Sequence, residues 1–197
     1  MIKAILFDMD GVLIDSHDAW FYIFNKAYNK FEGKTMSVED FDKYFWAKAF
    51  DKIAKKYFTV PIEEIREYYV EIYEDYRKRL KVIDGTKEAL ESLSGLKLAV
   101  ASNTQNSVIR KILKDVKLDT YFTLFVGGDD VPNGKPEPDM LIKALELLKL
   151  EKEEVLFVGD TKWDRMAAVA AGIKFVGYKI DGDIKVNMLK EVASYVS

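Results

Sequence analysis

The sequence predicts an α/β fold: a doubly wound parallel sheet, interrupted after its first strand by an all-helical insertion. Three observations carry this. Short apolar runs alternate with helix-period stretches through most of the chain. Aromatic residues crowd into one third of it, with 17 of the 26 between residues 15 and 80. Turn-forming residues avoid that stretch, which holds one glycine (Gly33) and one proline (Pro61), against ten glycines and three prolines elsewhere. Glycine and proline punctuate strand–helix turns, so their retreat marks the helical part. A length of 197 residues suits one domain carrying an insertion.

The elements follow in order. Residues 2–7, 96–101 and 155–158 are short apolar runs, and 122–126 and 174–178 are weaker ones. Each has the length and composition of a strand buried on both faces. Helices are predicted at 86–93, after Asp84-Gly85, and at 107–113, where Val108, Ile109, Ile112 and Leu113 share a face. A third, 138–148, carries Leu141, Leu145 and Leu148 on one side, and an Ala-rich fourth, 164–171, stops at Gly172. The insertion offers helices at 18–31, ended by Gly33, at 37–58, with a break left open, and at 61–80. Ser37-Val38-Glu39-Asp40 resembles a capping box, and Pro61 suits a first turn. Tyr69, Ile72, Tyr73 and Tyr76 fall on one face, as a helical core rather than a ligand-stacking cage. The expected domains are an α/β core, 1–14 and 81–197, and a helical domain, 15–80.

Composition narrows the function. Lys and Arg number 30 against 33 Asp and Glu, so a nucleic-acid partner is not expected. With no Cys and one His, disulfides, thiolate zinc sites, cysteine nucleophiles and His-pair metal sites are excluded. Neither a membrane span nor a secretory signal is visible, so a cytoplasmic protein without membrane partners is expected, monomer or homodimer.

In an open α/β sheet, ligands bind at the carboxyl ends of the strands. There the sequence places Asp8-Met9-Asp10-Gly11, Ser102-Asn103 and Gly159-Asp160, with Asp164 four residues further on. Lys135 sits in the loop Asn133-Gly134-Lys135-Pro136-Glu137-Pro138. Each type has a task in phosphoryl transfer. A carboxylate can attack phosphorus and form a hydrolysable acyl phosphate. A second acid two residues on can protonate the leaving group and later deprotonate water. Clustered carboxylates call for a hard divalent cation, and Mg2+ fits. Ser102 and backbone N–H groups can hold phosphoryl oxygens, and Lys135 supplies positive charge. Asp160 and Asp164 would share a face if a helix began there. Taken singly, each has a plainer reading: Asp8 a turn residue, Ser102 a helix cap, Lys135 a solvated charge, Asp164 a helix-start acid. Their joint occurrence, in order and at strand ends, favours the site.

These residues resemble the four motifs of the haloacid dehalogenase-like hydrolases, spread over the whole α/β host. Asp8-Met9-Asp10-Gly11-Val12 is similar to the first, and Ser102-Asn103 to the second. Lys135, with Gly128-Asp129-Asp130-Val131 before it, is similar to the third, and Gly159-Asp160-Thr161-Lys162-Trp163-Asp164 to the fourth. The helical insertion resembles the family's α-helical cap, and the nearest subgroup is the phosphoglycolate phosphatase and β-phosphoglucomutase-like one. The resemblance implies a Rossmann-like core and a Mg2+ cofactor. It implies Asp8 as nucleophile and metal ligand, and Asp10 as general acid/base with its backbone carbonyl on Mg2+. Ser102 and Lys135 would hold the phosphoryl group, joined by the amides of Met9 and Asn103. Asp160 would ligate Mg2+, and Asp164 would hold a metal-bound water or orient the site.

Asp10 points to phosphate esters, since dehalogenases, phosphonatases and P-type ATPases lack an acid there. Val12 also occurs among mutase-like members, and Arg165 stands where an apolar residue is commoner. The expected function is hydrolysis of small phosphorylated metabolites through an aspartyl-phosphate. The alternatives are a sugar phosphomutase, a phosphoacceptor signalling domain, which would lack the insertion, and an inactive scaffold, disfavoured because no motif residue is missing. His17 reads as a polar residue opening the first cap helix. Trp46 and Lys48 read as a core Trp and a solvated Lys rather than substrate selectors, and Lys162 and Trp163 as rim residues at most.

Overall fold

The computed structural model describes residues 1–48 and 50–196, and all side chains among them except those of residues 51 and 52. A six-stranded parallel sheet forms its centre: β1 (Ala4–Phe7), β4 (Lys97–Ser102), β5 (Leu124–Gly127), β6 (Val155–Gly159), β7 (Lys174–Tyr178) and β8 (Ile184–Val186), in the order β5-β4-β1-β6-β7-β8. Its central strand is buried on both sides. Ile5 and Phe7 join one apolar cluster with Leu98, Val100, Leu156 and Val158, whereas Ala4 and Leu6 join another with Ala99, Ala101, Val155 and Phe157. Burying each large apolar side chain is worth about 1.5–3 kcal/mol, so near-continuous apolar runs are stable only with helices on both faces. Those covering helices include α6 (Thr86–Ser92) and α7 (Asn106–Asp115) over the first cluster, and α8 (Asp139–Leu148) and α9 (Lys162–Ala171) over the second.

Between β1 and β4 the chain makes a two-stranded antiparallel ladder, β2 (Ile14–Asp15) with β3 (Lys81–Val82), at the roots of a helical segment. That segment runs α1 (His17–Glu32), α2 (Val38–Tyr44), α3 (Phe50–Tyr57), α4 (Ile62–Glu71) and α5 (Tyr73–Arg77). Phe24, Phe41, Phe45, Phe58 and Ile65 form a separate buried cluster there, so its aromatics are largely core. Ile23, Tyr73 and Tyr76 pack instead into the cluster beneath the sheet.

Two expectations need correction, and the break left open within 37–58 is present. The helix expected at 37–58 is two: α2 ends at Tyr44, and Ala47 takes a left-handed conformation with φ 61. The helix expected at 61–80 is also two, because Ile72, at φ −96 and ψ 13, leaves the helical region between α4 and α5. Asp160 and Asp164 do not share a helical face, since α9 starts only at Lys162. Asp160 lies in the turn before it and Asp164 in its first turn. Among the described residues, no helix is long and apolar enough to cross a membrane.

Candidate active site

The strand order reverses at β1, and the parallel register sets Phe7 beside Val100 and Val158. The carboxyl ends of β1, β4 and β6 therefore meet in the crevice where open α/β sheets bind ligands. Asp8 leaves β1 with its N–H donating to the Val158 carbonyl (2.9 Å). Ser102 ends β4, and Gly159-Asp160 leads from β6 into α9.

Lys135 reaches into this edge from the loop between β5 and α8. Its Nζ lies 2.8 Å from Asp8 Oδ1 and 2.6 Å from Asp164 Oδ1. Asp8, Lys135 and Asp164 are 5%, 4% and 0% exposed, so this is a buried ion cluster and not a surface pair. Met9 N–H donates to Asp8 Oδ1 at 2.8 Å and fixes the carboxylate plane. Asp164 closes a capping box, three residues after the N-cap Thr161. Its Oδ2 accepts from the N–H (3.0 Å) and hydroxyl of Thr161, which in turn caps α9. Two glycines make room. A Cβ on Gly159 would stand 2.4 Å from Asp164 Cβ, and one on Gly11 would stand 2.1 Å from Asp160 Oδ2. Gly11 also has φ +83, which L side chains resist.

Asp10 points elsewhere. Its Oδ1 accepts from Ser16 Oγ (2.5 Å) and from Trp20 Nε1 on α1 (2.9 Å). Its Oδ2 accepts from Thr104 Oγ1 (3.2 Å) and, more loosely, from Ser102 Oγ (3.5 Å). The Asn103 side chain braces the rim, its Nδ2 donating to the carbonyls of Lys135 and Ala47, each at 3.1 Å. The structure thus gathers Asp8, Lys135, Asp160 and Asp164, and it ranges Asp10 with Ser102 beside them. Sequence reasoning missed Ser16, Trp20, Thr104 and Thr161. Only Thr161 had a signal, an N-cap followed three residues later by an acid. His17 opens α1 as expected, 2.5 Å from Asp42 and packed on the Trp46 ring with centroids 4.7 Å apart. Asp129 and Asp130, next to the third motif, accept from Asn106 at the start of α7 and hold that helix.

Electrostatics set the site's chemistry. Oxygens of Asp8, Asp160 and Asp164 lie within 4.8 Å of one another. Three carboxylates against one ammonium leave a formal charge of about −2, the deficit a divalent cation would fill. Asp160, a member of that cluster, has its Oδ1 buried without a hydrogen-bond partner. The donor set is all hard oxygen, as such a cation requires. Burial, then the neighbouring acids, push Asp8 well above the carboxylate range against the pull of Lys135. Burial and Asp164 push Asp160 up to about 7. For Lys135, burial acts downward, but Asp164 and Asp8 outweigh it and hold the ammonium charged.

A pH dependence of stability follows for the metal-free protein. A carboxyl raised in the folded state binds protons more readily there, so stability falls as pH rises from its unfolded value to its folded one. Glu74, Asp75, Glu154 and Asp181, held low by basic partners, act oppositely. Their contribution is complete by about pH 5. Lys135 stays charged in both states throughout this window. In chelator, Tm is therefore expected to fall between about pH 5 and pH 8. Mg2+ should remove that decline by occupying the deprotonated cluster. A Tm still climbing toward pH 8 in chelator would contradict this electrostatic picture.

At the end of a central parallel strand, then, a buried carboxylate is gripped by lysine within an acidic cluster. The comparisons name the family. The profile of the haloacid dehalogenase-like hydrolases matches residues 5–178, and the chain belongs to that family. It is similar to a phosphoglycolate phosphatase of Aquifex aeolicus, 36% identical over 190 residues, covering 94% of this chain and 88% of the relative. It is also similar to the pyrophosphatase PpaX of Halalkalibacterium halodurans, 30% identical over 187 residues, with 92% and 86% covered. Among solved structures, a subfamily IA hydrolase of this superfamily from Geobacter sulfurreducens superposes with a TM-score of 0.78 at 28% identity, covering 100% of this chain and 97% of that one. The protein is a phosphatase.

Proposed function

We propose that the chain hydrolyses small phosphate monoesters with Mg2+, through an aspartyl-phosphate on Asp8. The observation that carries this reading is the grip on Asp8, whose Oδ1 takes both Lys135 Nζ and the Met9 N–H at 2.8 Å. The other oxygen is left to attack phosphorus. As the Asp8 O–P bond forms, the bond to the leaving oxygen breaks, and Asp10 delivers a proton to that oxygen. Asp10 then takes a proton from water, which attacks phosphorus, releases inorganic phosphate and frees Asp8. Ser102 and the amides of Met9 and Asn103 would hold the phosphoryl oxygens, with Lys135 balancing their charge. Asp8, Asp160 and Asp164, with the Asp10 carbonyl, would hold the metal. Asp164 spends Oδ2 on Thr161 and part of Oδ1 on Lys135, so Asp160 is the freer ligand. Bound Mg2+ would supply positive charge to the phosphoryl oxygens and to the clustered acids.

The segment 15–80 would act as a cap that closes over the substrate, excludes bulk water and selects the leaving group. Its Ala47 carbonyl already touches Asn103 of the host. The names of the Aquifex and Halalkalibacterium relatives point to substrates that carry a second acidic group beside the transferred phosphoryl. The test is a panel of phosphorylated metabolites, including phosphoglycolate and pyrophosphate, assayed for phosphate release with Mg2+ and with chelator. Release that needs the metal is expected. Isomerisation of a sugar monophosphate without phosphate release would replace this reading with a phosphomutase.

A further inference from the structure

The two oxygens of Asp10 face different parts of the chain. Oδ1 faces the helical segment, through Ser16 and Trp20, and Oδ2 faces the host, through Ser102 and Thr104. The donors differ in kind. A hydroxyl rotates and both donates and accepts, whereas an indole N–H can only donate. The Trp20 N–H, 2.9 Å from Oδ1, is therefore a one-way contact that anchors this oxygen toward the helical segment. The hydroxyls of Ser102 and Thr104 can accept a hydrogen from Oδ2. Held from the Oδ1 side by Trp20, the carboxyl keeps Oδ2 turned to Thr104 and to the phosphoryl-holding Ser102. Packing fixes the indole: its ring centroid lies 4.8 Å from that of Tyr76, which is 1% exposed, and 6.4 Å from that of Tyr69.

We propose that Trp20 is the positioning residue for Asp10. Its N–H holds Oδ1 and so keeps Oδ2 turned toward Ser102 and the leaving oxygen. The step is the one already written: Asp8 bonds to phosphorus, the P–O bond to the leaving group breaks, and the Asp10 proton passes to the departing oxygen. Trp20 acts through Asp10 and is not itself assigned a contact with the reacting atoms. The proposal rests on the reading of Asp10 as general acid.

Leaving groups of different basicity test both claims apart. An alkoxide needs a proton as it departs, and p-nitrophenolate does not. Because kcat/KM reports only steps through release of the first product, it isolates this proton transfer. The comparison uses ethyl phosphate and p-nitrophenyl phosphate with wild type, Asp10→Asn and Trp20→Phe, which keeps a ring but removes the donor. Asp10→Asn should lose about 10²-fold or more on ethyl phosphate and far less on the nitrophenyl ester. Trp20→Phe should lose about tenfold on ethyl phosphate and less than about twofold on the nitrophenyl ester, which also reports that the variant is folded. If no such gap opens in Asp10→Asn, the general-acid reading falls, and the role of Trp20 with it. A gap in Asp10→Asn but none in Trp20→Phe overturns the proposal alone. Equal losses on both esters in Trp20→Phe show a structural role and overturn it too.

Discussion

Asp8→Asn is expected to remove turnover, by at least about 10³-fold, while leaving the fold as stable as before or more so. The two effects come from one feature. An amide is no nucleophile toward phosphorus, so the proposed aspartyl-phosphate cannot form. The amide oxygen can still accept the Met9 N–H, and Lys135 keeps its 2.6 Å partner Asp164. Burial already disfavours the charged form of Asp8, so replacing it with a neutral isostere relieves the cluster of repulsion. Phosphate release and thermal unfolding, measured on one metal-free and one Mg2+-loaded sample, should move in opposite directions or split outright. A variant that keeps more than a few per cent of its activity would end the nucleophile assignment. A variant that loses activity only because it unfolds would leave Asp8 a structural residue.

The α/β alternation was legible because buried parallel strands are nearly all apolar. Five of the six sheet strands can be read from composition. The sixth, β8, is Ile-Lys-Val, too short to show a pattern, and β2 and β3 have two residues each. Their pairing depends on where the helical segment leaves and rejoins the host. The break within 37–58 is left open and that at Ile72 is read through in the sequence, because Trp46-Ala47 and Ile72 are helix-compatible residues whose backbone bends only in tertiary context.

The acids of the site were legible for a different reason. A parallel sheet sends every strand's carboxyl end to one edge, so residues far apart in sequence converge there without side-chain detail. The partners of Asp10 had no such rule. Ser16 and Trp20 reach it only because α1 turns back across the edge, and Thr104 only because the chain bends after β4. The fixing of Asp164 by Thr161 was within reach, as a cap three residues before an acid, but it was read as a helix-face pair with Asp160.

Lys135→Ala should be the most damaging single change to the fold of the site, and its damage should depend on pH. The ammonium bridges two buried carboxylates, at 2.8 Å to Asp8 and 2.6 Å to Asp164. Removing one partner of a buried ion pair typically costs about 3–5 kcal/mol, because the remaining charge stays desolvated. Here the abandoned acids have an escape. Asp8 already sits well above its ordinary range and Asp160 near 7, so both can take up protons once the lysine is gone. The loss in Tm should therefore be small near pH 5 and several times larger near pH 8, where staying neutral itself costs free energy. Mg2+ at pH 8 should restore part of it by replacing the missing positive charge. Activity should not return with stability, since the cation that grips Asp8 Oδ1 is absent during transfer, and a loss of about 10²-fold or more is expected. Lys135→Arg should not rescue either property, because a planar guanidinium does not fit a buried site shaped around a single point charge between two oxygens. Thermal unfolding of the alanine variant at pH 5 and pH 8, with and without Mg2+, decides the matter. An unfolding temperature unchanged at pH 8 in chelator would mean that Lys135 does not hold the acidic cluster together.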